Sequence, residues 1–202
     1  MRANWPVVTI ESIKSAKKGS IAIGPFGSRM KRDCYVNNGI PVIRGTNITG
    51  GSKFVGDFVF ITKEKSDTLG SSNVYKYDLV FPHRGAIGEV GIILDDNHYV
   101  ISSSLMKLTC NREIVNPKFL YYFFKSGFGR HELLKNASQV GTPGIGQPLS
   151  SLRSIEFKLP PLSTQNKIEV MLTSLDQKIE LNNKINSELE NMEKLIYERF
   201  LL

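Results

Sequence analysis

The sequence predicts a mixed α/β domain, mainly sheet, followed by one long C-terminal α-helix. Residues 1–161 contain about seven short apolar or alternating segments between turn residues, which is the pattern of short strands. A few helical segments interrupt these strands in irregular order, as in mixed α/β folds. Residues 162–202 contain neither Gly nor Pro and are rich in helix formers. We therefore divide the chain into a domain, residues 1–161, and a helical region, residues 162–202.

The strands are predicted from apolar runs that end at turn residues. Residues 5–13 are predicted to form a first strand or a short helix, and Ile21 to Ile23 are a small apolar group within a polar connection. A Gly- and Pro-rich turn follows at residues 24–28. Further strands are predicted at residues 39–47, 57–62, 77–81, 87–94, 99–109 and 151–159.

Helices are predicted at three places within the domain. Residues 63–69 form a short helical turn. Asn116 and Pro117 begin a longer helix, because Asn caps a helix well and Pro fits its first position. That helix is apolar on most faces and ends at Gly127, and a second helical piece covers residues 130–135. The loop from Ala137 to Gln147 is polar and Gly-rich, and loops of this kind are often functional.

The C-terminal helix carries apolar residues at coiled-coil spacing. Pro160 and Pro161 end the preceding segment, Ser163 is the predicted N-cap, and roughly 38 residues follow, about 57 Å of helix. The apolar positions mostly alternate in steps of four and three, with one slip around Asn182. The predicted dimerisation seam comprises Ile168, Leu172, Leu175, Ile179, Asn182, Ile185, Leu189, Met192 and Ile196.

Two interpretations of this helix remain open. It packs along its own domain, or it protrudes and binds a partner. We favour the second, because a compact domain of this size has little surface to cover so long a rod.

The charge of the chain lies on the domain. Residues 1–161 have 21 Lys and Arg against 12 Asp and Glu, or +9, whereas residues 162–202 have 5 against 7, or −2. This distribution favours a polyanionic partner for the domain, although a basic domain without a ligand is the alternative. No long apolar run predicts a membrane span. Cys34 and Cys110 lie far apart and are expected to be buried or free thiols in a reducing cytosol.

Polar and cationic side chains beside turns are the candidate binding residues. Three cations follow the turn at residues 24–28, a position that suits phosphate contact. The loop from Ala137 to Gln147 offers amide side chains, which pair bidentately with adenine. The predicted binding residues are Arg29, Lys31, Arg32, Lys53, Arg84, Gln139, Thr142 and Gln147.

Signals for catalysis are few. The chain has no phosphate-binding loop of the GxxxxGK[ST] type, and His83, His98 and His131 stand in separate segments without the paired spacing of a zinc site. Glu156 and Lys158 have the acid-x-lysine spacing of some metal-dependent nucleases. A small nuclease is therefore one alternative, and a protein–protein adaptor with incidental positive charge is another. The residues themselves favour a non-catalytic binding domain that carries an assembly helix and holds no metal.

Several segments together resemble a known family, the specificity (S) subunits of type I restriction–modification systems. The resemblance covers nearly the whole chain. Its most specific part is the pair of motifs at the start of the long helix. The segments are GPFGS at 24–28, GIPVIRG at 39–45, YDLVF at 77–81, RGAIG at 84–88, LPPLSTQ at 159–165 and LDQKI at 175–179.

The resemblance implies a fold, partners and a role. Such a chain has a target recognition domain that reads one half of a bipartite double-stranded DNA target, and its long helix pairs antiparallel with another. The methyltransferase subunits carry S-adenosylmethionine and flip the target base, a restriction subunit completes the complex, and the S subunit itself holds no cofactor. This cytoplasmic role involves no membrane. A full S subunit has two recognition domains and two helical regions, so this chain is expected to be a half-size subunit that dimerises or the N-terminal half of a longer one.

Overall fold

A sheet-rich domain is followed by a single long helix. The structure is a computed structural model and describes residues 4–49, 51–138 and 141–201. The predicted fold class is confirmed in this respect, whereas pairing of the helix stays a prediction.

The strands are short, and more of them form than the sequence predicted. The described strands are β1 (Val7–Thr9), β2 (Ile21–Ile23), β3 (Tyr35–Val36), β4 (Ile40–Ile43), β5 (Val59–Ile61), β6 (Asn73–Val74), β7 (Leu79–Pro82), β8 (Gly91–Ile92), β9 (Tyr99–Ile101), β10 (Leu105–Leu108), β11 (Ala137–Ser138), β12 (Gly144–Ile145) and β13 (Glu156–Lys158). The α-helices are α1 (Ile10–Ile13), α2 (Lys63–Thr68), α3 (Pro117–Lys125), α4 (Gly127–Leu134), α5 (Pro148–Arg153) and α6 (Leu162–Leu201).

Two larger sheets form the body of the domain. One has the order β3-β5-β4-β9-β6, in which β4 and β9 run parallel and the other neighbours run antiparallel. The other has the order β2-β10-β7-β8 and is antiparallel throughout. Two small pairs, β1 with β13 and β11 with β12, complete the described sheet structure. The chain passes between the two larger sheets where β9 ends and β10 begins.

The core is layered around the four-stranded sheet. Leu79 and Phe81 of β7 face a cluster that includes Phe124 of α3, whereas Val80 faces a second cluster with Ile101 of β9. This alternation follows from the two-residue period of a strand. Because both faces of β7 are covered, all four of its residues are buried, and the loops that leave its ends are held in place.

Several predicted elements were wrong in detail. The strand predicted at residues 87–94 covers only Gly91–Ile92. Residues 99–109 form two strands, because the serines at 102–104 make a turn closed by a Leu105 N–H to Ser102 O bond of 3.0 Å. Residues 151–159 begin within α5, which starts at Pro148 and leaves only Glu156–Lys158 as strand. Ser163 lies inside α6 and is not its N-cap, because the amides of the first turn donate to the carbonyl of Pro161.

The first turns of α6 are fastened to α3. Tyr122 Oη donates to Asp176 Oδ2 at 2.8 Å, and Lys118 Nζ lies 3.1 Å from Glu169 Oε1. Burial, with the nearby Asp176 carboxylate adding to it, raises the pKa of Tyr122 to about 12. The phenol therefore stays protonated and remains a donor. Ile168 packs against the core of its own domain, so this member of the predicted seam contributes to the attachment of the helix.

Beyond Asp176 the helix is exposed, and Glu180 still forms an ion pair with Lys53 of the domain. Residues 177–200 are exposed throughout, and α6 as a whole has 40 residues, a length of about 60 Å. The seam from Ile179 onward is among these exposed residues, with Ile185 at 43% and Leu189 and Met192 at 57% exposure. The interpretation of a helix packed on its own domain therefore holds only for its first four turns.

Candidate nucleic-acid interface

Loops from both larger sheets meet at one edge of the domain. Because β4 and β9 are parallel neighbours, Arg44 and Ser102 follow their carboxyl ends at the same edge, and Ser102 N–H donates to Ile43 O at 2.9 Å. The end of β7 reaches this edge too, since His83 N–H donates to Ser104 O at 2.9 Å. Three loops far apart in sequence are thereby brought together.

A groove of about 430 Å³ lies between these loops. Its lining residues are 44–46, 84–86 and 102–104. They include Arg44 and Arg84, together with hydroxyl-bearing and small residues, and none of these described lining residues is acidic. Small residues leave backbone amides accessible, and hydroxyls and amides both donate to anionic oxygens. The groove is therefore suited to an anionic ligand.

Arg44 is held in position by a buried asparagine. Asn47, which is 1% exposed, accepts from Arg44 N–H at 2.9 Å and donates to Val55 O at 2.8 Å. The Arg44 guanidinium donates through Nη2 to Asp57 O at 2.6 Å. Its buried Nε has no hydrogen-bond partner among the described residues. Such an unpaired donor is uncommon in a folded protein. Because Nε is buried, a ligand in the groove can bond only the terminal nitrogens of this guanidinium.

Arg84 is joined to the Gly-rich loop. It forms an isolated antiparallel bridge with Gly144, and Gly85 N–H donates to Pro143 O at 2.9 Å. The loop is partly a hairpin of β11 and β12, which places Thr142, with its exposed side chain, directly before that contact. Gln147 is exposed and has a left-handed backbone with φ of 47°. The predicted contact Gln139 lies outside the described residues.

An aromatic pair stands beside the groove. His83 is 3% exposed, and its Nε2 lies 2.9 Å from Ser103 O. Burial lowers the pKa of His83, and the Arg84 charge lowers it further, so the ring is neutral near pH 7. Because a carbonyl only accepts, Nε2 carries the proton. The Phe26 ring meets His83 edge-on, with ring centroids 6.4 Å apart, and is 50% exposed, so an apolar side chain stands at this edge of the domain.

The other predicted cations do not lie in the groove. Arg29 Nη2 donates to Thr68 O at 3.3 Å, at the end of α2, and Lys31 and Arg32 are exposed nearby in sequence. Lys53 forms an ion pair with Glu180 of α6, so it joins the domain to the helix. The structure thus brings Arg84 and the loop before Gln147 together, and the remaining predicted cations are not among the residues that line the groove.

Arg44 and the serines at 102–104 were missed by the sequence-based prediction. A signal for Arg44 is present, because Arg44-Gly45 follows strand β4 just as Arg84-Gly85 follows strand β7 one residue later. The serines gave no such signal, because their place beside Arg44 depends on the parallel pairing of β4 with β9.

The nuclease alternative has little structural support. Glu156 and Lys158 are exposed on either side of buried Phe157, in a strand paired only with β1. Across residues 4–49, 51–138 and 141–201, no three His, Cys, Asp or Glu side chains group so that they could hold a metal ion. The described helices include none that is long and apolar enough to cross a membrane.

Fold and groove together define a basic recognition domain carried on a long helical arm. Comparison with known proteins then assigns the family. The model of the type I restriction modification DNA specificity domain matches residues 4–191. The chain belongs to this family, which confirms the resemblance seen in the sequence.

Curated relatives carry specificity-subunit names. The HindI specificity subunit of Haemophilus influenzae is 34% identical over 110 residues, which is 54% of this chain and 24% of the relative. The EcoBI specificity subunit of Escherichia coli is 26% identical over 133 residues, or 66% of this chain and 28% of the relative. The matched regions thus span only about a quarter of these relatives' length.

Solved structures share the fold over nearly the whole chain. A chain from a study of assembly and conformational transition of the type I R-M system aligns with a TM-score of 0.67 and 17% identity, covering 97% of this chain and 44% of that one. The S subunit from M. genitalium aligns with a TM-score of 0.61 and 21% identity, covering 98% and 45%. At these identities, the likeness concerns the fold.

Proposed function

We propose that the chain is a non-catalytic DNA-recognition half of a type I restriction–modification specificity subunit. It reads one half of a bipartite target in double-stranded DNA and directs the methyltransferase and restriction subunits to that target in the cytoplasm. The observation that carries this proposal is the groove of Arg44 and Arg84 at the edge of a family domain whose charge is +9 in residues 1–161.

The groove and its surroundings provide two kinds of DNA contact. Guanidinium groups neutralise phosphates and release counterions, which gives salt-dependent affinity without sequence preference. Sequence is read at base edges by amide, hydroxyl and guanidinium groups. The exposed side chains of Thr142 and Gln147 lie on the segment joined to Arg84 and supply groups of this kind.

The exposed helix supplies the second half of the function. Its apolar seam beyond Asp176 pairs antiparallel with another such helix, from a second copy or from a second recognition half. The support is that this apolar seam is exposed in the structure and has heptad spacing. Two domains at the ends of such a pair are held at a fixed separation, so they read two half-sites with a fixed gap. S-adenosylmethionine binds to the methyltransferase subunit, and this chain holds no cofactor.

Methylation mapping tests the proposal. The full chain is combined with its methyltransferase subunit, and modified bases are mapped on genomic DNA. A bipartite motif should appear, and it should vanish when the chain is left out. Methylation of the same motif by the methyltransferase subunit alone would contradict the proposal. DNA cleavage by the isolated chain with Mg²⁺ would support the nuclease alternative instead.

A further inference from the structure

The groove between Arg44 and Arg84 is built for one particular class of acceptor. Arg44 and Arg84 line a single open space together with Thr46 and the serines at 102–104, and no carboxylate is among the described lining residues. Base edges present donors as well as acceptors, whereas a phosphate presents acceptors alone. Because the lining residues include two arginines and four hydroxyl-bearing residues and no carboxylate, the groove matches a phosphate better than a base.

The asparagine behind Arg44 adds a second, independent observation. Asn47 is buried and bonds the backbone of residues 44, 55 and 57, so the loop that carries Arg44 is fixed before any ligand arrives. Arg44 Nη2 donates a hydrogen bond to Asp57 O, so the guanidinium is fixed in orientation while Nη1 and the second hydrogen of Nη2 remain for a ligand. A guanidinium held in this way loses little side-chain freedom on binding, and its fork fits a phosphate with two parallel bonds.

We infer that Arg44 and Arg84 bind one backbone phosphate of DNA from the two sides of this groove, and that Asn47 is the positioning residue for Arg44. This inference rests on the proposed function, since it presupposes that DNA is the partner. The phosphate contact sets the register of the domain on the duplex. Base reading is then left to the neighbouring segment that carries Thr142 and Gln147.

The salt dependence of DNA binding tests the inference without knowledge of the recognised sequence. The full chain and the variant Arg44→Gln/Arg84→Gln are titrated with an arbitrary duplex at several salt concentrations. Each neutralised phosphate contributes about 0.9 to the slope of log affinity against log salt. The double variant should lose about 0.9 of slope and bind at least about 10-fold more weakly at low salt, because a charge-assisted bond is worth about 1.5 kcal/mol or more.

A control removes one positive charge elsewhere and is compared with the single variant Arg84→Gln, which also removes one. Arg112 is exposed and stacks on Tyr77 at the opposite end of β7, 4.6 Å from the ring centroid. Arg112→Gln should leave the slope unchanged. An equal loss of slope in Arg112→Gln would overturn the inference, because the effect would then reflect net charge alone. A loss of about 1.8 in the double variant would overturn the single shared phosphate, since two phosphates would be involved.

Further measurements distinguish loss of a phosphate contact from loss of folding and from loss of a base contact. If Arg44→Gln lowers the thermal midpoint, Arg84→Gln alone carries the test, because its side chain is exposed. Unchanged affinity and slope in Arg84→Gln would overturn the inference. So would an unchanged slope accompanied by relaxed preference at one base pair, which is the signature of a base contact. If the unaltered chain does not bind duplex DNA at all, the proposed function itself fails, which is a distinct outcome.

Discussion

The side-chain oxygen of Gln165 accepts a hydrogen bond from the backbone N–H of Asn116 at 2.8 Å. The amide nitrogen of the same fully buried side chain donates to Pro160 O and Ile114 O at 2.8 and 3.2 Å. One glutamine in the first turn of α6 thus joins the long helix to the start of α3. This contact gives a physical role to the glutamine in the motif LPPLSTQ.

Replacing Gln165 should weaken this junction. Gln165→Leu keeps the bulk but removes the side-chain partner of three backbone groups, one in a buried bond and two in part-buried bonds, so the free energy of unfolding should fall by about 2–3 kcal/mol. Chemical denaturation measures this loss. The neighbouring variant Asn166→Ala is the control. Asn166 Oδ1 also accepts a hydrogen bond from Asn116, through Nδ2, but this bond is exposed to solvent, so its loss should cost little. Equal losses in the two variants would contradict the role assigned to Gln165.

Polar substitutions in the seam should abolish pairing without unfolding the domain. The triple variant of Ile185, Leu189 and Met192 to Ser removes exposed apolar surface that is buried only in a pair. Each side chain is worth about 1.5–3 kcal/mol when buried, so self-association should weaken by at least about 100-fold. Sedimentation equilibrium measures it. The control variant Glu190→Ser/Lys194→Ser, on the opposite face of the helix, should not alter self-association. If it weakened self-association as much as the triple variant does, the assignment of the seam as the pairing surface would be contradicted.

The helix should act as a ruler between half-sites. Seven residues inserted after Asn182 lengthen each helix by about 10 Å and keep the heptad phase. Since base pairs rise by about 3.4 Å, the gap between half-sites should widen by about three base pairs. Methylation mapping with the methyltransferase subunit reports the gap. An insertion variant that still pairs but methylates with the original gap would show that the helix does not set the spacing.

Gln147 should affect stability and sequence preference in opposite directions. Its left-handed backbone favours glycine, so Gln147→Gly should raise the free energy of unfolding by about 0.5–1 kcal/mol. If the amide contacts a base, the same variant should lose about 1–3 kcal/mol of discrimination at one base pair. Gln147→Asn keeps an amide and tolerates this backbone. Selections on randomised half-sites give the comparison, and identical preferences in all three proteins would remove Gln147 from the interface.

Acid should destabilise the domain through His83. Burial holds its folded-state pKa below the ordinary value of 6.5. Its contribution to stability is therefore complete above pH 6.5 and is lost as the pH falls from there towards the folded-state pKa, because the unfolded chain takes up the proton first. His83→Gln does not titrate, so its stability should fall less between pH 7 and pH 5. Urea unfolding at each pH tests this. If the free energy of unfolding changed equally with pH in both proteins, His83 would not be a source of the acid destabilisation.

Local sequence signals predicted the helices better than the strands. The beginning of α3 at Pro117 was correct, because Asn116 caps it through bonds to the amides of Lys118 and Phe119. The strand expected at residues 99–109 was wrong, because β9 and β10 belong to different sheets. An apolar run does not specify which strand it will pair with. Strand pairing is decided between distant segments.

The sequence by itself determined the long helix, its exposed seam and the basic charge of the domain, since these follow from local composition and short spacings. Tertiary structure alone decided the groove. Arg44 and Arg84 are forty residues apart in the chain. They line the same groove because β4 pairs with β9 and because the end of β7 is hydrogen-bonded to the turn at 102–104. The ion pair between Lys53 and Glu180 of the helix likewise depends on tertiary structure, because the two residues are far apart in sequence. Contacts of this kind depend on which strands pair, and the spacing of residues along the sequence does not specify strand pairing.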